Sequence, residues 1–196
     1  HTSDSIMRLD SLPKSLSIIG GGYIATEIAH IFSSFGCHVN VLARGPRLLR
    51  DQDKEISLRF TESFRNRVDV HLNVDIRDIS EDESGGVSIS CVTPLGDVSH
   101  SSEILLVATG RTPTADELDL DSTDVITDCG YIVTDETMRT SVDDVFALGD
   151  VTNPHQLKHS ANAEARVVSH NLINPDNLIS VDLDPMPYAI FSNPQI

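Results

Sequence analysis

The apolar residues of this chain change their spacing several times, and each change marks an element. Ser15–Ile19 (SLSII) is a short, mostly apolar run of the kind a buried strand presents, and it meets three glycines, Gly20, Gly21 and Gly22. Beyond them Ile24, Ile28, Phe32 and Phe35, with Ala25 and Ala29, recur at helical spacing, which predicts an amphipathic helix stopping at Gly36. His38–Ala43 (HVNVLA) reads as a second strand. Strand, glycine turn, helix and strand within about 30 residues make a βαβ unit and predict a parallel sheet. Residues 51–67 read as another amphipathic helix, with Ile56, Phe60 and Phe64 four apart on its apolar face.

From residue 68 to 106 the pattern turns to β. The runs VDVHLNV, DIRDIS and GVSISCV predict a three-stranded meander beside the parallel sheet, punctuated at Ser84-Gly85-Gly86 and Pro94-Leu95-Gly96. Residues 104–108 form one more buried strand that ends at Thr109-Gly110-Arg111. After an acidic, loop-rich stretch, residues 131–133 and 145–148 read as short strands, the second closing on Gly149-Asp150. Residues 157–172 predict a helix with Ala161, Ala165, Val168 and Leu172 on its buried side. From Asn174 onward Pro175, Pro185, Pro187 and Pro194 mark a linker followed by one strand (YAIFS) whose sheet neighbours the chain does not supply. That tail is expected to be mobile or to pack on a neighbour.

Composition narrows the classes. The 196 residues are 39% hydrophobic and 22% charged, enough apolar material for a real core. No apolar run approaches the ~18 residues of a membrane span, and no leader pattern opens the chain. A net charge of −16 argues against nucleic acid or an anionic membrane as the main partner. The charge is uneven: residues 1–113 hold 11 basic and 15 acidic side chains, residues 114–196 only 3 and 15. Arg44, Arg47 and Arg50 therefore stand out as a positive spot on an acidic protein. Cys37, Cys91 and Cys129 form no CxxC, which suits a reducing, cytoplasmic setting. His155 and His159 are four apart without a third ligand, so no metal is expected.

Chemistry concentrates in the glycine turn. In Gly20-x-Gly22-x-x-Ala25 the first glycine allows the tight turn, the second lets backbone approach a pyrophosphate, and small Ala25 lets helix pack on strand. The helix opening at Tyr23 and Ile24 offers N–H groups and a positive dipole end to phosphates. An NAD site usually places an acid about 20 residues on, at the end of the second strand, to take the ribose 2′-hydroxyl. Ala43 stands there and Arg44 follows, so Arg44 and Arg50 become candidates for holding the 2′-phosphate of NADPH. Tyr23 and Glu27 share a helix face, where a carboxylate can accept from a nicotinamide carboxamide or simply favour the helix dipole. VATGR (107–111) and VFALGDV (145–151) each end a short strand in small residues plus a polar one, and Asp150 is suited to ribose or ribityl hydroxyls.

Together GGGYIATE, VATGRTP and VFALGDV, in this order and spacing, resemble the flavoprotein disulfide reductases of the pyridine nucleotide-disulfide oxidoreductase family, over essentially the whole chain. The resemblance implies an α/β fold: a Rossmann-like NAD(P)H-binding βαβ domain with an inserted β-meander, plus the returning part of a second Rossmann-like, FAD-binding domain. It implies a linker at 1–11, an NADPH-binding domain at 12–113, returning FAD domain at 114–182, and the start of a dimerisation domain at 183–196. It gives Gly20, Gly22 and Ala25 the pyrophosphate, Tyr23 the gate over the nicotinamide pocket and Glu27 the carboxamide, and counts Ile24 among the cofactor-binding residues. Arg44 and Arg50 match the family's 2′-phosphate arginines, with Gly45 where glutathione reductases commonly carry a histidine. Gly110 and Arg111 lie beside the cofactors, and Asp150 matches the aspartate on the FAD ribityl chain. Within the family HTSDSIMR and LKHSANAEARVVSHNL resemble reductases of a low-molecular-weight thiol disulfide, and the family is typically homodimeric. The alternatives are a glutathione, dihydrolipoyl or mercuric reductase, or a non-catalytic nucleotide-binding module. The redox CxxxxC and the first FAD fingerprint are expected upstream and the thiolate-handling His and Glu downstream, so this piece alone is expected to be inactive, with an incomplete FAD site.

Overall fold

The computed structural model describes residues 1–83, 85–182 and 186–196. Ser84 of the expected turn, and residues 183–185 at the expected 182/183 boundary, lie outside the described residues. The chain divides into two compact units, His1–Gly110 with Ala189–Ile196, and Arg111–Tyr188.

The first unit is built on a four-stranded parallel sheet. β1 (Ser15–Ile19), β2 (His38–Ala43), β3 (Asp69–Leu72) and β7 (Ile104–Val107) lie in the order β3-β2-β1-β7. One face of β1 and β2 turns Leu16, Ile18, Val39, Val41 and Ala43 toward α2 (Tyr23–Ser34) and α3 (Lys54–Phe64), whose Ala25, Ile28, Ala29, Phe32, Phe60 and Phe64 complete the main core. Phe60 and Phe64, one turn apart, stack with centroids 4.9 Å apart. The other face, through Ile19, Leu42 and Leu105, meets the antiparallel meander β4 (Asp75–Glu81), β5 (Val87–Thr93) and β6 (Gly96–Ser102) at Ile89 and Cys91. Covered on both faces, β1 and β2 are buried along nearly their whole length, Ser17 and Asn40 included.

Several expectations need correction. The meander has three strands, but VDVHLNV is not one of them: β3 pairs in parallel with β2, Val41 opposite Val70, because Val70 and Leu72 add apolar surface to the main core. The third meander strand is β6 (GDVSHSS), whose single large apolar residue, Val98, leaves no alternation to read; it is an edge strand, mostly exposed. Phe35 is not on the apolar face of α2 but follows its last turn, 72% exposed. In α3 the buried face is Ser57, Phe60, Thr61 and Phe64, while Ile56 is exposed. The helix starts at Lys54 because Asp53 caps it, its Oδ1 accepting from the Glu55 and Ile56 amides at 2.9 and 3.1 Å. Unmarked in sequence, Ser3–Ile6 forms a short helix, α1, that buries Ile6, and the His1 carbonyl accepts from Val107 N–H along β7.

Nor do residues 188–192 form a strand. Ile190 and Ile196 exchange backbone hydrogen bonds, Ile190 is buried in the main core, and the Ser192 hydroxyl donates to the Thr26 carbonyl. This end of the chain packs on α2 within the first unit instead of standing free.

The second unit contains the hairpin β8 (Thr127–Asp128) and β9 (Tyr131–Ile132), and the long helix α4 (Lys158–Ile173). Residues 145–148 are not a strand: Phe146 makes one antiparallel bridge to Arg139, and among the described residues no parallel neighbour pairs with it. The buried side of α4 is Ser160, Glu164, Val167, Val168 and Asn171, and Leu172 is 61% exposed. Three of those five are polar, so apolar spacing could not locate the face. Asn171 donates to the Thr137 and Ile179 carbonyls and accepts from Ile179 N–H, fastening the segment after α4 back onto it.

Among the described residues no helix is long and apolar enough to cross a membrane, and no three His, Cys, Asp or Glu side chains gather as a metal site.

Where β3 meets the meander, the rings of His71 and His100 lie 4.2 Å apart, and each has a buried Nε2 with no hydrogen-bond partner among the described residues. Burial lowers the affinity of both for a proton. The neighbouring His100 lowers His71 further, Arg65 adds to this, and Asp69 opposes the shift for both rings. Because the folded values lie below the ordinary 6.5, this pair's contribution is complete above about pH 6.5 and is lost as pH falls through the lowered values. The melting temperature should therefore drop on acidification from pH 7.5 to 5, and His100→Gln should flatten that dependence. An unchanged slope in the variant would remove the pair from the effect.

Candidate nucleotide-binding site

The glycine turn sits where β1 runs into α2. Gly20 has φ of +135°, and a Cβ there would run into the Ala108 carbonyl at the end of β7, so only glycine fits. The turn is fastened on both sides. Gly20 N–H donates to Leu42 O at 3.0 Å, Ala108 N–H to Ile19 O at 2.8 Å, and Leu49 N–H to Gly21 O at 2.7 Å. Gly22 caps α2 without any side-chain hydrogen bond, and a Cβ on it would meet nothing within 4 Å. The open space therefore lies directly over the amide end of the helix, where the dipole and the first-turn N–H groups favour an anion. Behind it Ala25 is fully buried, which lets the helix sit close to the sheet. A diphosphate fits this cradle.

Ile24, in the first turn of α2, is half-buried against the main core, so only its amide is available to a phosphate. Tyr23 is 39% exposed on the outer side of the first turn. Glu27, one turn beyond, is half-buried, and its Oε1 accepts from the Phe191 backbone N–H at 2.8 Å. Sequence spacing brought Tyr23 and Glu27 together but gave no sign that residues 189–196 would border them. At the neighbouring strand end Gly110, φ +141°, is exposed at the carboxyl edge that β1 and β7 share.

The arginine loop follows β2. Ala43 is buried, and Arg44 and Arg50 are both exposed. Gly45 lets them share one turn: a Cβ there would collide with Arg50 Cδ and lie 3.2 Å from its Nη1, so the Arg50 side chain lies back across the Gly45 backbone. Arg47 is spent differently, its Nη2 donating to the Arg50 carbonyl at 3.2 Å. Residues 44–50 thus offer two exposed arginines and no acid, a suitable receiver for a further phosphate.

In the second unit, Asp150 sits in a single helical turn, Gly149–Val151, with one carboxylate oxygen 3.4 Å from Arg111 Nη2. Both side chains are about half exposed, at 45% and 42%, so the pair itself adds little stability. The turn is held from behind by a residue that sequence reasoning missed. Glu164 is fully buried; its Oε2 accepts from Gly149 N–H at 2.5 Å and its Oε1 from Asn153 Nδ2 at 2.6 Å and the Ser160 hydroxyl at 3.1 Å. The available signal was a lone acid within the predicted helix, one turn after Ser160. Asp150 is left half exposed at the tip, placed to accept from hydroxyls.

Gly20→Ala combines a collision with a strained φ and should destabilise the protein by about 2 kcal/mol or more in urea melts. Glu164→Ala orphans three donors and should cost about 3 kcal/mol by the same measurement. A change under about 0.5 kcal/mol in either would contradict the geometry.

Comparison with known proteins agrees with this geometry. The pattern of the pyridine nucleotide-disulphide oxidoreductases matches residues 1–166. Mycothione reductase of Mycobacterium tuberculosis is 41% identical over 201 residues, covering 100% of this chain and 43% of that protein. Glutathione reductase of Burkholderia cepacia is 35% identical, covering 99% of this chain and 42% of that protein. Among solved structures, a copper(II) complex of a variant of the HOCl-induced flavoprotein disulfide reductase RclA from Escherichia coli superposes with a TM-score of 0.88. It is 28% identical and covers 100% of this chain and 44% of that one. The chain thus spans about two fifths of the length of the curated relatives it matches. With a Rossmann-type parallel sheet, a glycine turn at its edge and a family match over most of its length, the chain belongs to the pyridine nucleotide-disulphide oxidoreductase family.

Proposed function

We propose that this chain is the NADPH-binding region, with part of the FAD-binding region, of a cytoplasmic, homodimeric disulfide reductase whose substrate is mycothiol disulfide. The observation that carries the choice of NADPH is the arginine loop: Ala43 supplies no carboxylate for a 2′-hydroxyl, while Arg44 and Arg50 present two exposed guanidinium groups around Gly45. A carboxylate at the end of β2 would repel a 2′-phosphate; two arginines attract it. The choice of mycothiol is supported by the 41% identity to mycothione reductase, against 35% to glutathione reductase, and by Lys158-His159 where glutathione reductases often carry Thr-Pro.

The chemistry supplied by bound nicotinamide and flavin is hydride and electron transfer toward a disulfide. The residues of this chain bind and orient. Amides at the start of α2 hold the diphosphate, Arg44 and Arg50 hold the 2′-phosphate, and Tyr23 and Glu27 border the nicotinamide end. Asp150 accepts hydroxyls of the flavin side chain, on a turn set by Glu164. Cys37 and Cys91 are buried and Cys129 is exposed, and none of the three is paired.

Charge-assisted hydrogen bonds to phosphate are worth about 1.5–3 kcal/mol when well formed, and exposure reduces this. Arg44→Ala and Arg50→Ala should each weaken NADPH about 10-fold in a fluorescence titration and leave NADH within about twofold. Equal losses for both nucleotides would take the arginines out of the phosphate site. In the whole protein, turnover of mycothiol disulfide should exceed that of glutathione disulfide; the reverse order would replace the proposed substrate.

A further inference from the structure

We propose that Ser57 and Thr61 on α3 are positioning residues for nucleotide selectivity, their hydroxyls fixing the loop that carries Arg44 and Arg50. The assignment rests on the reading of those arginines as the 2′-phosphate site.

The two hydroxyls grip both polar groups of a single buried residue. Ser57 Oγ donates to the Leu48 carbonyl at 2.6 Å, and Thr61 Oγ1 accepts from the Leu48 N–H at 3.0 Å while donating to the Ser57 carbonyl at 2.7 Å. Ser57 and Leu48 are fully buried and Thr61 is 5% exposed, so water cannot replace either bond. An ordinary amphipathic helix would give these positions to apolar side chains, and α3 instead leaves Ile56 exposed and turns two hydroxyls inward.

Leu48 lies inside the span whose ends are Arg44 and Arg50, and the rest of that span is tied by other bonds. Gly45 O accepts from Asn73 N–H at 3.1 Å, Arg47 Nη2 reaches the Arg50 carbonyl, and Leu49 N–H reaches Gly21 O in the glycine turn. Leu48 is the point at which α3 enters this network. Two flexible, exposed arginines select a phosphate only if their backbones are held at a set spacing before it arrives, because otherwise binding must order the loop as well. The hydroxyl pair supplies that order from a position that touches no nucleotide.

The test uses the whole protein carrying Ser57→Ala, Thr61→Val and, as the hydroxyl-retaining control, Thr61→Ser. Dissociation constants for NADPH and NADH are measured by fluorescence titration. The expected result is NADPH weakened about 10-fold in the first two variants, NADH within about twofold, and Thr61→Ser close to wild type. A purely structural role would weaken both nucleotides equally, since both use the glycine turn, and that result overturns the assignment. An unchanged preference in both variants overturns it too. A wild-type protein that does not discriminate overturns the reading of the arginine site and this assignment with it. If neither variant folds, hydrogen exchange decides: the Leu48 and Leu49 amides should be protected in the nucleotide-free wild type, and rapid exchange there contradicts the proposal.

Discussion

The close approach of Gly20 to the Ala108 carbonyl governs the first unit. It brings the ends of β1 and β7 together, and with them the start of α2, so the amide end of a helix emerges at the carboxyl edge of a parallel sheet. Any side chain at residue 20 would force strand and helix apart. From this contact follow the open space over Gly22, the burial of Ala25 against the sheet, and the bond from Leu49 that draws the arginine loop to the turn. Leaving such a helix end open costs little, because its first N–H groups lack intrahelical acceptors in any case.

Both candidate sites are braced from behind by buried polar groups. Ser57 and Thr61 hold the backbone at Leu48, and Glu164 holds Gly149 behind Asp150. In each case the residue facing solvent is a charged side chain on a short loop, and the residue fixing it is fully satisfied in the interior. Buried polar groups are expensive unless every bond is made, which gives such braces a single geometry and makes them sensitive to substitution.

What could be read from the sequence follows from the same physics. The glycine turn, β1, β2 and the course of α2 were legible because apolar spacing and glycine chemistry agree there. The arginine loop was legible because its charge stands against an acidic chain. Ser57, Thr61, Glu164 and Asn171 were not, because spacing arguments register only apolar faces and these faces are partly polar. β6 escaped because an exposed edge strand needs little apolar alternation. Residues 145–148 are apolar enough for a strand, but a strand also needs a partner, and pairing is not a property of the segment alone. Residues 188–192 instead spend their backbone bonds within their own loop and on α2.

The central claim is that one turn and one loop of the first unit together receive a diphosphate and the additional phosphate that distinguishes NADPH. A crystal structure of the NADPH complex tests it most directly. The account places the diphosphate over Gly22 at the start of α2 and the 2′-phosphate between Arg44 and Arg50. Density for the 2′-phosphate away from both arginines, or a diphosphate elsewhere than over that helix end, would contradict it.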